Sequence, residues 1–385
     1  MVSAEVAVVA TESRRRAGAI VAAALALPGV SALADTSPAD GEVSVKYLHY
    51  QDEQPGLKRV HVSAPSVHVL APLGTRWSLE GSAVDDSVSG ASPRYHTAIS
   101  GASRMHDQRH AYDLKLAHYG DRITLSGGLS FSHEHDYDSR AGSLDASFAS
   151  DDNNRTWSAG IGFSHDRITS RDDTTLHEHK GTAQLLLGVT QILTADDIVQ
   201  VDLTRERGRG YFSDPYKLLD DRPRRRDASI ALLRWNHYLD PLGSTLRTSY
   251  RYYRDSFGIR AHTLSAEWVQ PLGSTFTLIP AARLYSQSAA NFYYDPVYDP
   301  ALGAPYPYAY FSDPPAFLSA DQRLSAFGAA TASLKLAWQI DPVWSTDLKF
   351  ERYEQRSDWR IGGAGSPGLA PFSATAWQLG VNARL

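Results

Sequence analysis

Cysteine is absent from the 385-residue chain. No disulfide can staple the fold, and no thiolate can ligate a metal or attack a substrate. Sheet closure or core packing must therefore hold the chain together. A strong charge of either sign is also missing. The formal net charge of −5 leaves no basic footprint for nucleic acid. Beyond the N-terminal 34 residues, no apolar run reaches the roughly eighteen residues that a membrane-spanning helix needs. Helical spacing never persists beyond one turn there, and no glycine loop of the phosphate-cradling kind occurs. The mean hydropathy of −0.34 is polar. That average remains compatible with a membrane β-barrel, whose lumen-facing half and loops are polar.

What is present is aromatic and alternating. Tyrosine occurs 20 times and tryptophan 8 times, whereas methionine occurs twice. Such tyrosine and tryptophan usage suits girdles at membrane interfaces. Apolar and polar residues alternate in Ile123-Leu125-Gly127-Leu129-Phe131, in Trp157-Ala159-Ile161-Phe163 and in Val199-Val201-Leu203. Period two is the spacing of one strand face. Sixteen strands are expected, near 43–50, 59–71, 75–84, 109–119, 122–133, 141–149, 156–166, 179–193, 198–205, 227–238, 244–254, 259–270, 275–287, 325–340, 345–355 and 373–385. Short connections alternate with mostly longer ones at 51–58, 85–108, 134–140, 167–178, 206–226, 255–258, 288–324 and 356–372. Three short turns carry Pro-Leu-Gly-Ser/Thr, in which proline fixes φ early and glycine supplies φ > 0. Trp77, Trp157, Trp235, Trp268, Trp338 and Trp344 all lie near short turns. The fold expected is all-β: an up-and-down antiparallel transmembrane barrel of about 16 strands, with short periplasmic turns and longer extracellular loops. A soluble propeller would show a blade repeat of about 40 residues, and none is found.

Both ends of the chain agree with export. Arg14-Arg15-Arg16 precedes an apolar stretch from Ala17 to Val30, and Ala32-Leu33-Ala34 fits a small-residue cleavage site. Residues 1–34 are expected to be a cleaved signal peptide, 35–42 a short periplasmic segment and 43–385 the barrel. A membrane anchor is disfavoured because the apolar stretch is short and ends in Pro-Gly. At the other end, Trp377, Leu379, Val381, Ala383 and Leu385 share one face of a terminal strand. Such a strand closes a barrel by pairing with the first one. Gln378, Gly380, Ala383 and Leu385 resemble the C-terminal assembly signal of bacterial outer-membrane proteins. The match departs where aromatics usually occupy its last two places.

Further stretches carry a family resemblance: Ser87-Val88-Ser89-Gly90-Ala91-Ser92-Pro93, Ser100-Gly101-Ala102-Ser103-Arg104, Glu134-His135-Asp136-Tyr137, Asp151-Asp152-Asn153-Asn154-Arg155-Thr156 and Gly210-Tyr211-Phe212-Ser213-Asp214-Pro215-Tyr216-Lys217. The chain resembles an uncharacterised bacterial outer-membrane family, domain of unknown function 3570. The resemblance implies a barrel in the bacterial outer membrane and no defined activity. It also implies exported lipoprotein partners of a redox- or metal-linked system. No cofactor is expected. The location itself implies outer-membrane lipid, lipopolysaccharide and the barrel-assembly machinery as partners.

Three groups of residues could carry chemistry. The polar strand faces, taken inward, give lumen charges Arg247, Arg251, Glu267, Arg283, Lys335 and Lys349, together with Lys46, Glu80, Asp113, Lys115, Asp202, Asp347, Glu351 and Arg384. Such ladders set ion preference in a pore, or simply solvate a lumen. His133 with His135, or His177 with His179, would supply two ligands of a metal site; a solvated loop is the simpler reading. His61-Val62-Ser63 spaces a base and a nucleophile two apart. With Val60, Val62 and Ala64 taken as the lipid face, His61 and Ser63 point inward, and no group orients the imidazole. The loop 288–324 is rich in tyrosine and proline, from Asn291-Phe292-Tyr293-Tyr294-Asp295-Pro296 to Pro305-Tyr306-Pro307-Tyr308-Ala309-Tyr310-Phe311. It is expected to fold into the mouth or to serve as a rigid flap. The function expected is a porin-like pore for small solutes or ions, without enzymatic activity. The alternative is a non-channel anchor or scaffold.

Overall fold

The structure is a computed structural model that describes residues 36–55, 57–90, 105–217, 219–295 and 310–385. The expected signal peptide and its cleavage site lie outside the described residues, as do 91–104 and the Pro305–Ala309 part of the tyrosine-rich loop.

Every expected alternating segment forms a strand. The first eight are β1 (Glu42–Gln54), β2 (Leu57–Leu73), β3 (Trp77–Gly90), β4 (Met105–Tyr119), β5 (Ile123–His133), β6 (Tyr137–Ala149), β7 (Arg155–Ile168) and β8 (Glu178–Ile192). Then come β9 (Asp197–Gly210), β10 (Asp220–Asp221), β11 (Arg225–Leu239), β12 (Ser244–Asp255) and β13 (Arg260–Leu272). The last are β14 (Phe276–Gln287), β15 (Leu318–Ser319), β16 (Phe327–Gln339), β17 (Trp344–Arg356) and β18 (Phe372–Arg384). Sixteen of them form one closed barrel in chain order, while β10 and β15 pair with each other outside it, and Ser319 of β15 also bridges Tyr293.

Closure joins β1 to β18 in antiparallel register, with Val45 opposite Val381 and Tyr47 opposite Leu379. The ladder runs on past β18: Leu385 N donates to Gly41 O at 2.8 Å, and Gly41 N to Leu385 O at 3.2 Å. In hydrocarbon an open edge would leave a row of N–H and C=O groups without partners, so this seam is obligatory. Gly380 has a specific role in it. A Cβ there would stand 2.6 Å from Asp347 Oδ2, so glycine lets the lumen carboxylate on β17 keep its place, and a larger residue would push it aside.

Alternation sorts the side chains. Leu114, Leu129, Leu144, Phe163, Leu187, Leu203, Leu264, Leu284, Leu334 and Leu379 lie exposed on the outer face. Trp77, Trp157, Trp235, Trp268, Trp338 and Trp344 are exposed with them, near the short-turn end. An apolar belt bordered by aromatics is the surface that lipid requires. The Pro-Leu-Gly turns take the expected form, with left-handed φ at Gly74 (71°), Gly243 (56°) and Gly273 (68°).

Two expectations need correction. The short 255–258 connection is found as expected, whereas two of the connections expected to be longer are short: β1 and β2 extend to residues 54 and 57, and β5 and β6 to 133 and 137. Strand pairing there continues beyond the apolar belt into polar sequence, which period-two hydrophobicity cannot detect. The second correction concerns β2. Val60, Val62 and Ala64 are buried inside, packed with Tyr50, Phe372, Ala374 and Ala376. His61 and Ser63 lie in the same alternation as the exposed Val67 and Val69, and face outward. The apolar set of β2 switches faces along the strand, so its upper half forms an internal core rather than a lipid face.

Replacing Gly380 by valine should lower the assembled fraction, because overpacking at Asp347 costs about 1–3 kcal/mol. The measure is the heat-modifiable band of folded barrel in unboiled gels. A valine variant assembling like wild type would show that the seam tolerates a side chain.

Candidate functional site

The lumen wall carries two arcs of opposite sign. On β4, β6 and β9, Asp113, Asp145 and Asp202 alternate with the outward Leu114, Leu144 and Leu203 and so face inward. None has an ion-pair partner among the described residues. Asp113 accepts from Ser82 at 3.0 Å and Ser130 at 2.5 Å. Asp145 is held by Ser143 and Ser126, and Asp202 by Gln200 at 2.8 Å. On β11, β12 and β14, Arg234, Arg251 and Arg283 also face inward and also lack an ion pair among the described residues. Arg234 donates to Gln200 at 3.4 Å and Arg283 to Ser265 at 3.4 Å. The Arg251 guanidinium lies 5.4 Å from the centre of the Tyr253 ring.

Several other expected lumen charges pair locally, whereas Lys46 and Lys115 make no direct ion pair among the described residues. Arg247 pairs with Glu267, directly opposite, at 2.9 Å. Lys335 and Lys349 stand opposite each other but turn to Asp347 at 3.6 Å and Glu351 at 3.2 Å. Glu80 pairs with His68 at 2.9 Å. Arg384 is at the periplasmic end, 3.8 Å from Asp40, outside the lumen array. The expected ladder thus divides: Arg251 and Arg283 have no direct ion pair among the described residues, and Arg247, Glu267, Lys335 and Lys349 do. Arg234 and Asp145 join the set without direct pairs, where opposite charges act only at longer range, Glu206 on Arg251, Arg234 on Asp202 and Lys115 on Asp145. The inward parity of Arg234 and Asp145 was legible from Leu233 and Leu144, but their lack of direct partners was not.

Loops cross the mouth. The segment between β9 and β11 sends Tyr216 to Asp136 beside β6, at 2.5 Å. The same hydroxyl accepts from Arg171 N at 2.7 Å. In the other direction Lys217 reaches Asp321, between β14 and β16, at 2.9 Å. The β5–β6 and β14–β16 connections lie eight strands apart in a ring of sixteen, so these contacts span a diameter. Asp321 is fully buried and also binds Arg222 at 2.6 Å and Arg323 at 2.5 Å. Arg323 in turn reaches Asp214 at 3.1 Å, and Arg222 reaches Asp220 at 2.8 Å. Burial would push the Asp321 carboxyl upward, but Arg323, Lys217 and Arg222 hold it well below the usual 3.8. Phe257, Ile259, Ala290 and Leu324 form an apolar cluster beneath, with Phe212, Phe292 and Tyr293 packed on it. The start of the tyrosine-rich loop is therefore folded inward.

The remaining candidates do not converge. His133 pairs with Asp138, and His179 stacks on His165 with 5.3 Å between ring centres. His135 and His177 are exposed. No group of three metal-ligating side chains occurs among the described residues. On the outer face, Ser63 Oγ lies 3.4 Å from His61 Nε2 and accepts from Tyr47 at 3.1 Å. Gln51, opposite His61, donates instead to the backbone carbonyls of Asp52 and Val60, and the His61 ring meets His49 edge-on at 4.5 Å, so among the described residues no carboxylate or amide orients the imidazole.

Comparison with known proteins agrees with this architecture. The model of the family described as "Protein of unknown function (DUF3570)" matches residues 17–105, 100–179 and 169–376. A search of curated proteins found no match. CdiB from Acinetobacter baumannii is similar in fold, with TM-score 0.52, 10% identity, and coverage of 88% of this chain and 60% of that one. The siderophore receptor PirA from Pseudomonas aeruginosa gives TM-score 0.45 and 12% identity, covering 90% of this chain and 62% of that one. The chain thus spans less than two thirds of either protein. OccK2 (OpdF) from Pseudomonas aeruginosa, solved in complex with glucuronate, gives 0.43 and 11%, covering 93% and 99%. With the matched segments taking in most of its length, the chain belongs to the DUF3570 family, as a closed sixteen-strand barrel of the outer-membrane type.

Proposed function

We propose that the protein is a pore for small solutes or ions in the bacterial outer membrane, narrowed at its outer end by the loop bridge. The observation that carries this reading is the pair of charge arcs whose members make no direct ion pair among the described residues. Asp113, Asp145 and Asp202 on one stretch of wall and Arg234, Arg251 and Arg283 on the next set up a field across the lumen. Isolated charges of this kind are costly in a dry interior and natural beside water. A sixteen-strand barrel is wide enough to hold that water. The field orders permeating dipoles and ions, and the wall selects by charge. The Asp321 bridge limits access without entering the wall array. On this reading the protein has no enzymatic role, and its partners are membrane lipid and the assembly machinery. A scaffold for exported lipoproteins is the second reading, favoured by the loops locked across the mouth.

Asp321→Asn leaves three buried cations short of their shared anion, a local loss of about 3–5 kcal/mol. In planar bilayers its single-channel conductance at neutral pH should exceed that of wild type. Silence from both proteins would favour the scaffold.

The Asp321 carboxyl titrates lower in the fold than in the unfolded chain. Its contribution is therefore complete above the usual 3.8 and lost as pH falls through the depressed value. Wild-type conductance should hold steady between about pH 5 and 7 and rise only in stronger acid. A rise already at about pH 5 would assign the gate to another group.

Arg251→Glu with Arg283→Glu should move the reversal potential in a salt gradient toward cation selectivity. An unmoved potential would show that permeating ions do not sense the arginine arc.

A further inference from the structure

The outer surface, above the lipid belt, is densely basic across four neighbouring strands. In the upper halves of β9, β11, β12 and β13 the outward positions hold Arg205, Arg207, Arg209, Arg225, Arg254 and Arg260, against a single carboxylate, Asp227. Two of the cross-strand pairs are arginine on arginine: Arg254 faces Arg260, and Arg209 faces Arg225. Directly opposed residues have Cβ atoms about 4.5–5.5 Å apart, and like charges there repel. Asp227 binds Arg225 at 2.6 Å and lies 3.7 Å from Arg205. Arg254 and Arg260 have no ion pair among the described residues. The nearby Asp255 does not supply one, because it turns inward to Arg226 at 2.6 Å.

Arg205, Arg254 and Arg260 border an open groove of about 1120 Å³, lined also by Tyr252, His262 and Arg360 and by the arginine-paired Asp227 and Asp255. Its floor is aromatic: the Tyr252 and His262 rings lie 5.1 Å apart, and Tyr250 hydrogen-bonds His262 at 2.7 Å. Its wall is the loop after β17, laid down along the outside of the barrel, where Ile361 N donates to Ser286 Oγ at 2.8 Å. Ile361 beside Arg360 is 73% exposed, an apolar side chain turned to the surroundings at the same level. Leu203 and Leu264, two residues below Arg205 and His262, begin the apolar belt. The groove thus lies where the headgroups of the outer leaflet lie. A quarter turn round the ring, on β17, the outward arginines are paired, Arg352 and Arg356 with Glu354 at 3.3 and 3.0 Å.

We propose that this groove binds the phosphorylated sugar headgroup of an outer-leaflet glycolipid. Arg254 and Arg260 grip a phosphate, Tyr252 and His262 underlie the sugar, and the acyl chains run down the leucine belt. Arginine suits phosphate because its planar fork donates two hydrogen bonds at once. The bound anion relieves the repulsion of the facing arginines. The arginine pair in turn takes the place of the divalent cations that bridge neighbouring lipid phosphates. The proposal rests on residence in the outer membrane and is independent of whether the lumen conducts.

The test uses full-length folded barrel in detergent, titrated with bis-phosphorylated lipid A, with dephosphorylated lipid A and with sodium phosphate. Bis-phosphorylated lipid A should bind at least tenfold tighter than the dephosphorylated form, and EDTA should not weaken it. Arg254→Gln with Arg260→Gln should lose at least tenfold in affinity, whereas Arg352→Gln on β17, outside the groove, should bind as wild type. Heat-modifiable migration confirms that each variant is folded, and the dephosphorylated-lipid comparison on wild type needs no variant. Equal binding of the two lipids, or full affinity in the double variant, overturns the proposal. Sodium phosphate competing as well as the lipid would make this a free-anion site and overturn it too. So would an acidic protein that co-purifies with wild type and is lost from the double variant while lipid binding is unchanged.

Discussion

Hydrocarbon offers no hydrogen bonds, and the rest of this molecule follows from that. Every backbone N–H and C=O at membrane depth must find a partner in the chain, so the sheet has to close. The β1–β18 seam meets the requirement, running from Glu42 opposite Arg384 to Glu53 opposite Ser373. Closure then separates the side chains into two media. Leucine, valine and aromatics go outward, while serine, glycine and charge go inward. The lumen, its charge arcs and the loop bridge are all consequences of a ring that has no edge.

Charge is managed differently in each part of the structure. In the lumen, some pairs neutralise across strands, such as Arg247 with Glu267, and others are left to hydroxyl donors and water. At the mouth, Asp321 gathers three cations in a buried cluster that ties loops from opposite sides of the ring. Breaking such a cluster is costly, which makes it a latch rather than a surface ornament. On the outer face, compensation is complete near Glu354 and absent near Arg254 and Arg260. A barrel that is nearly cylindrical in fold is therefore uneven in electrostatics around its ring.

The fold was legible in the sequence because a two-sided strand leaves a period-two record. All sixteen barrel strands were readable, including the closing role of Trp377 to Leu385 and the belt tryptophans near short turns. The failures have a common physical origin. Hydrophobic alternation gives the phase of a strand only where one medium is apolar and the other is polar. In upper β2, Val60, Val62 and Ala64 pack against Tyr50 and Phe372 within the barrel, so the apolar face was the inner one and His61 and Ser63 were assigned to the wrong side. The strand extensions at Gln54 and Leu57 went unseen for the same reason.

The sequence by itself determined the export pattern expected of its N-terminal segment, the strand count, the short-turn chemistry and the direction most side chains face. These are local properties, written within ten or fifteen neighbouring residues. Only the tertiary structure decided which charges remain without a direct ion pair, because an ion pair depends on register between strands and on loops far apart in the chain. Lys217 meets Asp321 across 104 residues, and Arg254 meets Arg260 instead of a carboxylate because of where the β12–β13 turn sets the ladder. Composition counts both signs of charge. The closed sheet alone determines where they stand.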